Sequence, residues 1–204
     1  CVPVVAKTKT DILDEFKYAL SLDCDVIEWR IDHYDDVLET KELCSLAKEL
    51  HALSEEKVLL ITFRSYREGG VLDISDEAYA SIYRELIKEQ ACDMLDIELF
   101  MPGEIVSELV DLAHANGLTV IMCNHDFDQT VSHEEIVKRL CMMQDKGADI
   151  CKIAMMPQSE EDVLLLLGAS LDMAKNHARC PLITMSMGSM GTTSRRTPAS
   201  AAAA

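Results

Sequence analysis

The sequence predicts an α/β protein, a (βα)8 TIM barrel in which the eighth strand and last helix are not recognisable. Three observations predict it. Short apolar, β-branched runs recur at 2–6, 25–31, 58–63, 94–99, 119–123, 150–155 and 182–187. Most are continuous rather than alternating, the pattern of parallel strands covered on both faces. Amphipathic segments lie between them, so a βα unit returns every ~25–35 residues, the size it has in a barrel or doubly wound sheet. Finally, charged residues gather at the C-terminal ends of the strands, where βα barrels carry their chemistry. No G-x-G-x-x-G follows the first strand and no G-x-x-x-x-G-K-[ST] occurs, which removes the main grounds for a Rossmann or P-loop reading. Gly69-Gly70 reads as a turn rather than a phosphate cradle.

The intervening helices follow from spacing and caps. Thr10 with Asp11 opens the first, and 39–51 supplies the second. Over 76–90, Tyr79, Ile82, Tyr83, Leu86 and Ile87 recur at helical spacing. A fourth helix covers 104–115. Over 133–146, Ile136, Val137, Leu140 and Cys141 form the apolar stripe, and Ser132 with Glu135 has capping-box form. Ser159 followed by Glu160, Glu161 and Asp162 puts carboxylates into a first turn, where they complement the helix dipole. Gly147 stands where a left-handed cap residue is expected.

At 204 residues the chain suits one domain, drawn as a catalytic barrel over 1–195 with an atypical Ala/Ser tail at 196–204. The 36 acidic against 19 basic residues leave a formal charge of −17. That balance argues against nucleic-acid partners or an anionic membrane surface, which select basic patches. It leaves open a small anionic substrate held by a few cations in a cleft. The eight cysteines include no C-x-x-C pair and match neither a zinc site nor a disulfide scaffold. Cys24, Cys92, Cys123 and Cys151 border or enter apolar runs and read as reduced core thiols. No apolar stretch is long enough to span a bilayer, and no basic-then-apolar signal segment opens the chain. The expected setting is cytoplasmic.

At the strand ends, Glu28, Arg30 and Asp32 alternate along the second strand and would share one face. Arg64, Arg67 and Glu68 follow the third, and Asp96 and Glu98 alternate in the fourth. The fifth ends in Asn124, His125 and Asp126, and Lys152 lies inside the sixth. Ser186 ends the seventh, with Ser194-Arg195 beyond it. Glu28 and Arg30 could simply neutralise one another. Lys152 is harder to explain structurally: burial in an apolar strand disfavours the ammonium, so its pKa should fall. A neutral amine is the nucleophile that imine chemistry needs, and His125 could move a proton beside the activated carbon. Metal binding is the weaker reading, since Cys123, His125 and Asp126 lack a recognised ligand spacing and Lys152 would repel a cation.

Taken together, Asp25-Val-Ile-Glu-Trp-Arg-Ile-Asp32, Leu60-Ile-Thr-Phe-Arg64 running on to Glu68-Gly-Gly70, Cys123-Asn-His-Asp-Phe127, Gly147-Ala-Asp-Ile-Cys-Lys-Ile-Ala154, Met156-Pro-Gln-Ser159 and Ile183-Thr-Met-Ser-Met-Gly188 resemble the type I 3-dehydroquinate dehydratases. The likeness runs in order from the first strand to Arg195. It implies a class I aldolase-like barrel of the shikimate pathway that converts 3-dehydroquinate to 3-dehydroshikimate by syn elimination of water, with no metal or organic cofactor. In that motif Lys152 matches the Schiff-base lysine, His125 the proton shuttle, and Glu68 the carboxylate that orients His125. Glu28, Arg30 and Arg64 match substrate-contacting positions, Arg195 matches the arginine that receives the substrate carboxylate, and Asp32 a supporting position. The resemblance also implies a homodimer.

Beyond Arg195 the likeness stops. The family continues with an eighth strand, a last helix and a closing loop, whereas residues 196–204 hold Pro198 and an alanine run, with no β-branched strand, no Phe and no Gln. A truncated or frameshifted chain, placeholder alanines, or a variant whose gap another element fills would each explain this, and a piece of a complete enzyme is the expectation. A barrel left open would expose the edges of its first and seventh strands. A catalytically impaired barrel that still binds a small carboxylate, or another lysine-imine aldolase or lyase, are the alternative functions.

Overall fold

The computed structural model describes residues 1–192 and 194. Arg195 and the tail at 196–204 lie outside the described residues. Among the described residues, seven parallel strands alternate with six helices, an α/β fold of the TIM-barrel type. Close contacts divide the chain into two units, Cys1–Ile97 with Met101–Val120, and Glu98–Phe100 with the described residues from Ile121 onward.

In the first unit, strands β1 (Val2–Val4), β2 (Val26–Arg30), β3 (Val58–Thr62) and β4 (Met94–Glu98) neighbour one another in chain order, all parallel. Helices α1 (Lys9–Leu20), α2 (Thr40–Ser54), α3 (Asp76–Lys88) and α4 (Gly103–Ala115) connect and cover them. Register sorts the side chains into two faces, because successive residues of a strand point opposite ways. Ile27, Trp29, Leu59, Ile61, Leu95 and Ile97 alternate on one face and are fully buried. Arg30, Thr62 and Asp96 form a single register row on the other. From α3, Tyr79 meets Phe63 edge-on, with ring centroids 5.8 Å apart, and Tyr83 at 4.6 Å.

The second unit carries β5 (Thr119–Asp126) from Ile121 on, β6 (Ile150–Met155) and β7 (Leu182–Ser186), again parallel and in chain order. Helices α5 (His133–Asp145) and α6 (Glu160–Asn176) lie against each other, His133 Nε2 2.8 Å from Asp172 Oδ2 and Cys141 Sγ 3.9 Å from Met173 Sδ. Both bury apolar residues, Ile136, Leu140 and Met143 from α5 and Leu166, Ala169 and Met173 from α6.

The cap signals hold in particular places. The Ser132 and Ser159 hydroxyls accept from the Glu135 and Asp162 N–H groups, each at 3.3 Å, and Gly147 is left-handed with φ 89°. Helix α1 starts earlier than expected. Thr8, not Thr10, is its cap and accepts from the Asp11 N–H at 3.3 Å. Strand β5 runs past its apolar run to the expected polar end, because Asn124, His125 and Asp126 stay in register with Ile153, Ala154 and Met155. Of the cysteines read as core, Cys92, Cys123 and Cys151 are buried and Cys24 is half-buried.

Candidate active site

In the first unit the candidate residues form a charged cluster at the ends of β2 and β3. Asp32 departs from the expected alternation: β2 ends at Arg30, and Ile31–His33 turn as a short 3-10 segment. The turn swings the Asp32 carboxylate back over the strand it has left, where it is wholly buried. It accepts from Arg30 through Nε at 2.8 Å and Nη2 at 2.9 Å, a fork-shaped pair that fixes the guanidinium plane. It also accepts from the backbone N–H groups of Arg64 at 3.3 Å and Val71 at 3.4 Å. Asp32 therefore ties the end of β2 to the end of β3 and to the loop beyond. The neutralising partner of Arg30 is Asp32. Glu28 accepts from the Thr62 hydroxyl on the neighbouring strand at 2.7 Å.

Arg64 is 4% exposed, so its charge needs partners. Its Nη2 lies 2.8 Å from Asp96 Oδ1 and its Nη1 3.5 Å from Glu68 Oε2. Glu68, itself buried, closes a second 3-10 turn, Tyr66–Glu68. That turn explains the paired glycines. Gly69 is left-handed at φ 84°, and a Cβ on Gly70 would collide with the Arg64 carbonyl. The Gly70 N–H donates instead to the Ser65 carbonyl at 2.8 Å. Gly69-Gly70 is a turn, as expected, and its role is to fold Glu68 back onto Arg64. Arg67, in the same turn, points elsewhere and pairs with Asp76 at the start of α3.

In the second unit, Cys123 is the register partner of Lys152 and His125 that of Ala154. Lys152 and His125 thus share one face of neighbouring strands as diagonal neighbours, about 7–8 Å apart by sheet geometry. Both are half-buried, and the residues on either side of Lys152, Cys151 and Ile153, are fully buried. The segment bearing His125 is anchored on both sides. Asn124 Oδ1 accepts from Arg139 Nη1 at 2.9 Å, and Asp126 Oδ2 lies 3.8 Å from the same guanidinium. Arg139, on α5, is in turn held by Glu135 at 3.0 Å and stacks over Phe100 at 5.3 Å. Asp126 Oδ1 accepts from the Asp128 and Gln129 N–H groups. Asp126 therefore faces away from His125.

After β7, the Ser194 hydroxyl accepts from the Ser186 N–H at 3.0 Å and donates to the Gly191 carbonyl at 2.7 Å. Gly191 packs its Cα against the Ser186 carbonyl so closely that no Cβ fits. Arg195, the expected carboxylate receptor, lies outside the described residues.

Three supporting residues carried no signal in the sequence. Thr62 reads as a β-branched strand residue, Tyr83 as part of a helical apolar stripe, and Arg139 as a surface cation four residues after Glu135. Their partners follow only from register and helix placement.

The fold and these strand ends define a TIM-barrel protein with an amine and an imidazole side by side on one sheet face and with paired arginines in a buried cluster. The sequence profile described as type I 3-dehydroquinase matches residues 1–198, and the chain belongs to that family. It is 46% identical over 196 residues to the 3-dehydroquinate dehydratase of Enterococcus faecalis, covering 96% of this chain and 78% of that protein. The solved structure of the E. faecalis enzyme superposes with a TM-score of 0.93, covering 95% of this chain and 81% of the other. A type I 3-dehydroquinate dehydratase from Clostridium difficile, solved with covalent modified comenic acid, gives a TM-score of 0.94 at 46% identity, covering 96% and 77%. Among the described residues no helix is long and apolar enough to cross a membrane.

Proposed function

We propose that this chain is a 3-dehydroquinate dehydratase that works through an imine on Lys152. The observation that supports it most is the placement of Lys152 and His125 on one face of neighbouring strands. The Lys152 amine attacks the C3 ketone of 3-dehydroquinate and water leaves, giving a protonated imine. The iminium draws electrons from C2, so a histidine near neutral pKa is a sufficient base for the C2 proton. His125 takes that proton and returns one to the departing C1 hydroxyl. Water then hydrolyses the imine, releasing 3-dehydroshikimate and the free amine.

Glu68 orients His125 in this reading, while Glu28, Arg30 and Arg64 contact the ring hydroxyls and Arg195 receives the carboxylate. Asp32 acts through Arg30 and the Arg64 backbone. The reaction needs no metal or organic cofactor. The family resemblance extends the proposal to a homodimer in the cytoplasm, as a single catalytic barrel over 1–195.

Borohydride reduction in the presence of 3-dehydroquinate tests it. The expected result is a stable ligand adduct on the Lys152 peptide, absent in Lys152→Ala. His125→Ala should lower turnover about 10²–10⁴-fold, the range of a lost general acid–base, while still yielding adduct. No added mass on Lys152 would sink the mechanism. Adduct without conjugated-enone product in the unmodified chain would favour a barrel that binds but does not turn over.

A further inference from the structure

Cys151 and Cys180 stand outside the proposed chemistry, and their sulfurs are 3.5 Å apart. We propose that they form a dithiol site that a small anionic disulfide, of the glutathione disulfide type, oxidises to an intrachain disulfide.

Cys151 is fully buried in β6, on the face opposite Lys152, with its thiol directed at the Leu140 carbonyl of α5. Cys180 sits in the bend before β7 and is only half-buried. The backbones are already joined there, since the Cys151 N–H donates to the Pro181 carbonyl at 3.0 Å. Closing the sulfurs to bonding distance requires a further approach of about 1.5 Å, within reach of side-chain rotation and a small shift of the bend.

The surroundings assign different roles to the two thiols. The Cys180 thiol lies 3.8 Å from Gln144 Oε1, and Gln144 lines a surface concavity of about 530 Å³ together with Cys141, Asp145, Lys175, His177 and Arg179. Lys175 and Arg179 supply cations on that wall for the carboxylates of an entering disulfide, and Asp145, on the same wall, pairs with Arg179. Cys151 has no such access, and burial together with the neighbouring thiols pushes its pKa up. The partly exposed Cys180 is thus the entry thiol and Cys151 the resolving one.

The steps balance. Cys180 gives up its proton to solvent, and its thiolate attacks one sulfur of the reagent. The reagent S–S bond breaks and one thiolate leaves. Cys151 then attacks Cys180 sulfur in the mixed disulfide, and the second departing thiolate takes up the Cys151 proton. Two thiols lose two electrons in all, and the reagent disulfide gains them as two thiols. The new bond staples β6, one residue before Lys152, to the segment that enters β7.

The test uses the whole reduced chain incubated with glutathione disulfide under native conditions, then quenched by alkylation, digested and mapped by mass spectrometry. The expected product carries two alkyl groups fewer than the reduced control, contains a Cys151–Cys180 linked peptide, and reverts with dithiothreitol. Cys141→Ser should keep the link. Cys180→Ser should lose it and leave Cys151 without a glutathione adduct. An unchanged mass, a Cys180–glutathione adduct that never resolves, or a Cys141–Cys180 link would each overturn the proposal.

Discussion

The Tyr83 hydroxyl sits where the β3–β4 ladder runs out. It accepts from the Phe63 N–H at 2.9 Å and donates to the Asp96 carbonyl at 2.6 Å. Both groups are buried, and burial together with the nearby Asp96 charge holds the phenol well above its ordinary pKa, so it stays a donor. Tyr83→Phe keeps the ring and strands two backbone groups, each costing about 1–3 kcal/mol when buried without a partner. Chemical denaturation should therefore show a loss of at least about 1 kcal/mol, and an unchanged midpoint would mean that water replaces the hydroxyl. Sequence periodicity places Tyr83 on the buried stripe of its helix but says nothing of the hydroxyl, because its partners lie on strands 20 and 13 residues away. Asp32 has the same lesson. Alternation puts it near Arg30, which is right, but by way of a strand continuation, which is wrong. The short turn at Ile31–His33 brings the two together.

Element boundaries were legible where a side chain marks them. Ser132 and Ser159 each accept from the amide three residues on, a local geometry that spacing alone specifies. Two threonines compete at α1. Both Thr8 and Thr10 are good caps, and the Asp11 amide chooses Thr8, three residues before it. The apolar pattern alone marks β5 only as far as Cys123, and it is pairing with β6 that carries the strand through Asp126. The turn after β3 illustrates the reverse case, in which a backbone constraint is written in the sequence as glycine. Gly70→Ala would push a methyl into the Arg64 carbonyl, and overpacking of this kind typically costs about 1–3 kcal/mol. The thermal midpoint should fall. If Arg64 contacts substrate as proposed, KM should rise as well, because the carbonyl can retreat only by moving the residue that bears the guanidinium. A variant with wild-type stability and kinetics would show that the turn has slack.

Beside the excess of carboxylates that gives the charge of −17, the surface holds ion pairs that respond to pH in a definite direction. Hydrogen bonds from Lys48, Arg84 and Arg139 hold Glu89, Glu108 and Glu135 below their ordinary value of 4.5, and one from His133 holds Asp172 below its ordinary 3.8. A carboxylate whose pKa is lowered by folding contributes stability that is complete above its unfolded value and is lost as pH falls through the folded one. At the other end, burial raises Cys92 and Cys151 from 9.0 and Tyr83 from 10.0. The folded chain then keeps protons that the unfolded chain releases, and stability declines as pH climbs past those values. Denaturation midpoints measured across pH should form a plateau bounded by both limbs. Added salt should blunt the acid limb, since its pairs are exposed. A profile flat below pH 4.5 would contradict this account. The overall βα order was legible because each unit repeats the same hydrophobic pattern. Which unit a given residue serves was not, since that depends on contacts between distant elements. The Tyr83 bridge has one more consequence for the first unit. Because a single hydroxyl from α3 joins the ends of β3 and β4, the helix cannot lift without stripping a hydrogen bond from the end of each. Local opening of α3 is thereby coupled to the strand ends that carry Arg64 and Asp96, and exchange of the Phe63 amide should report it.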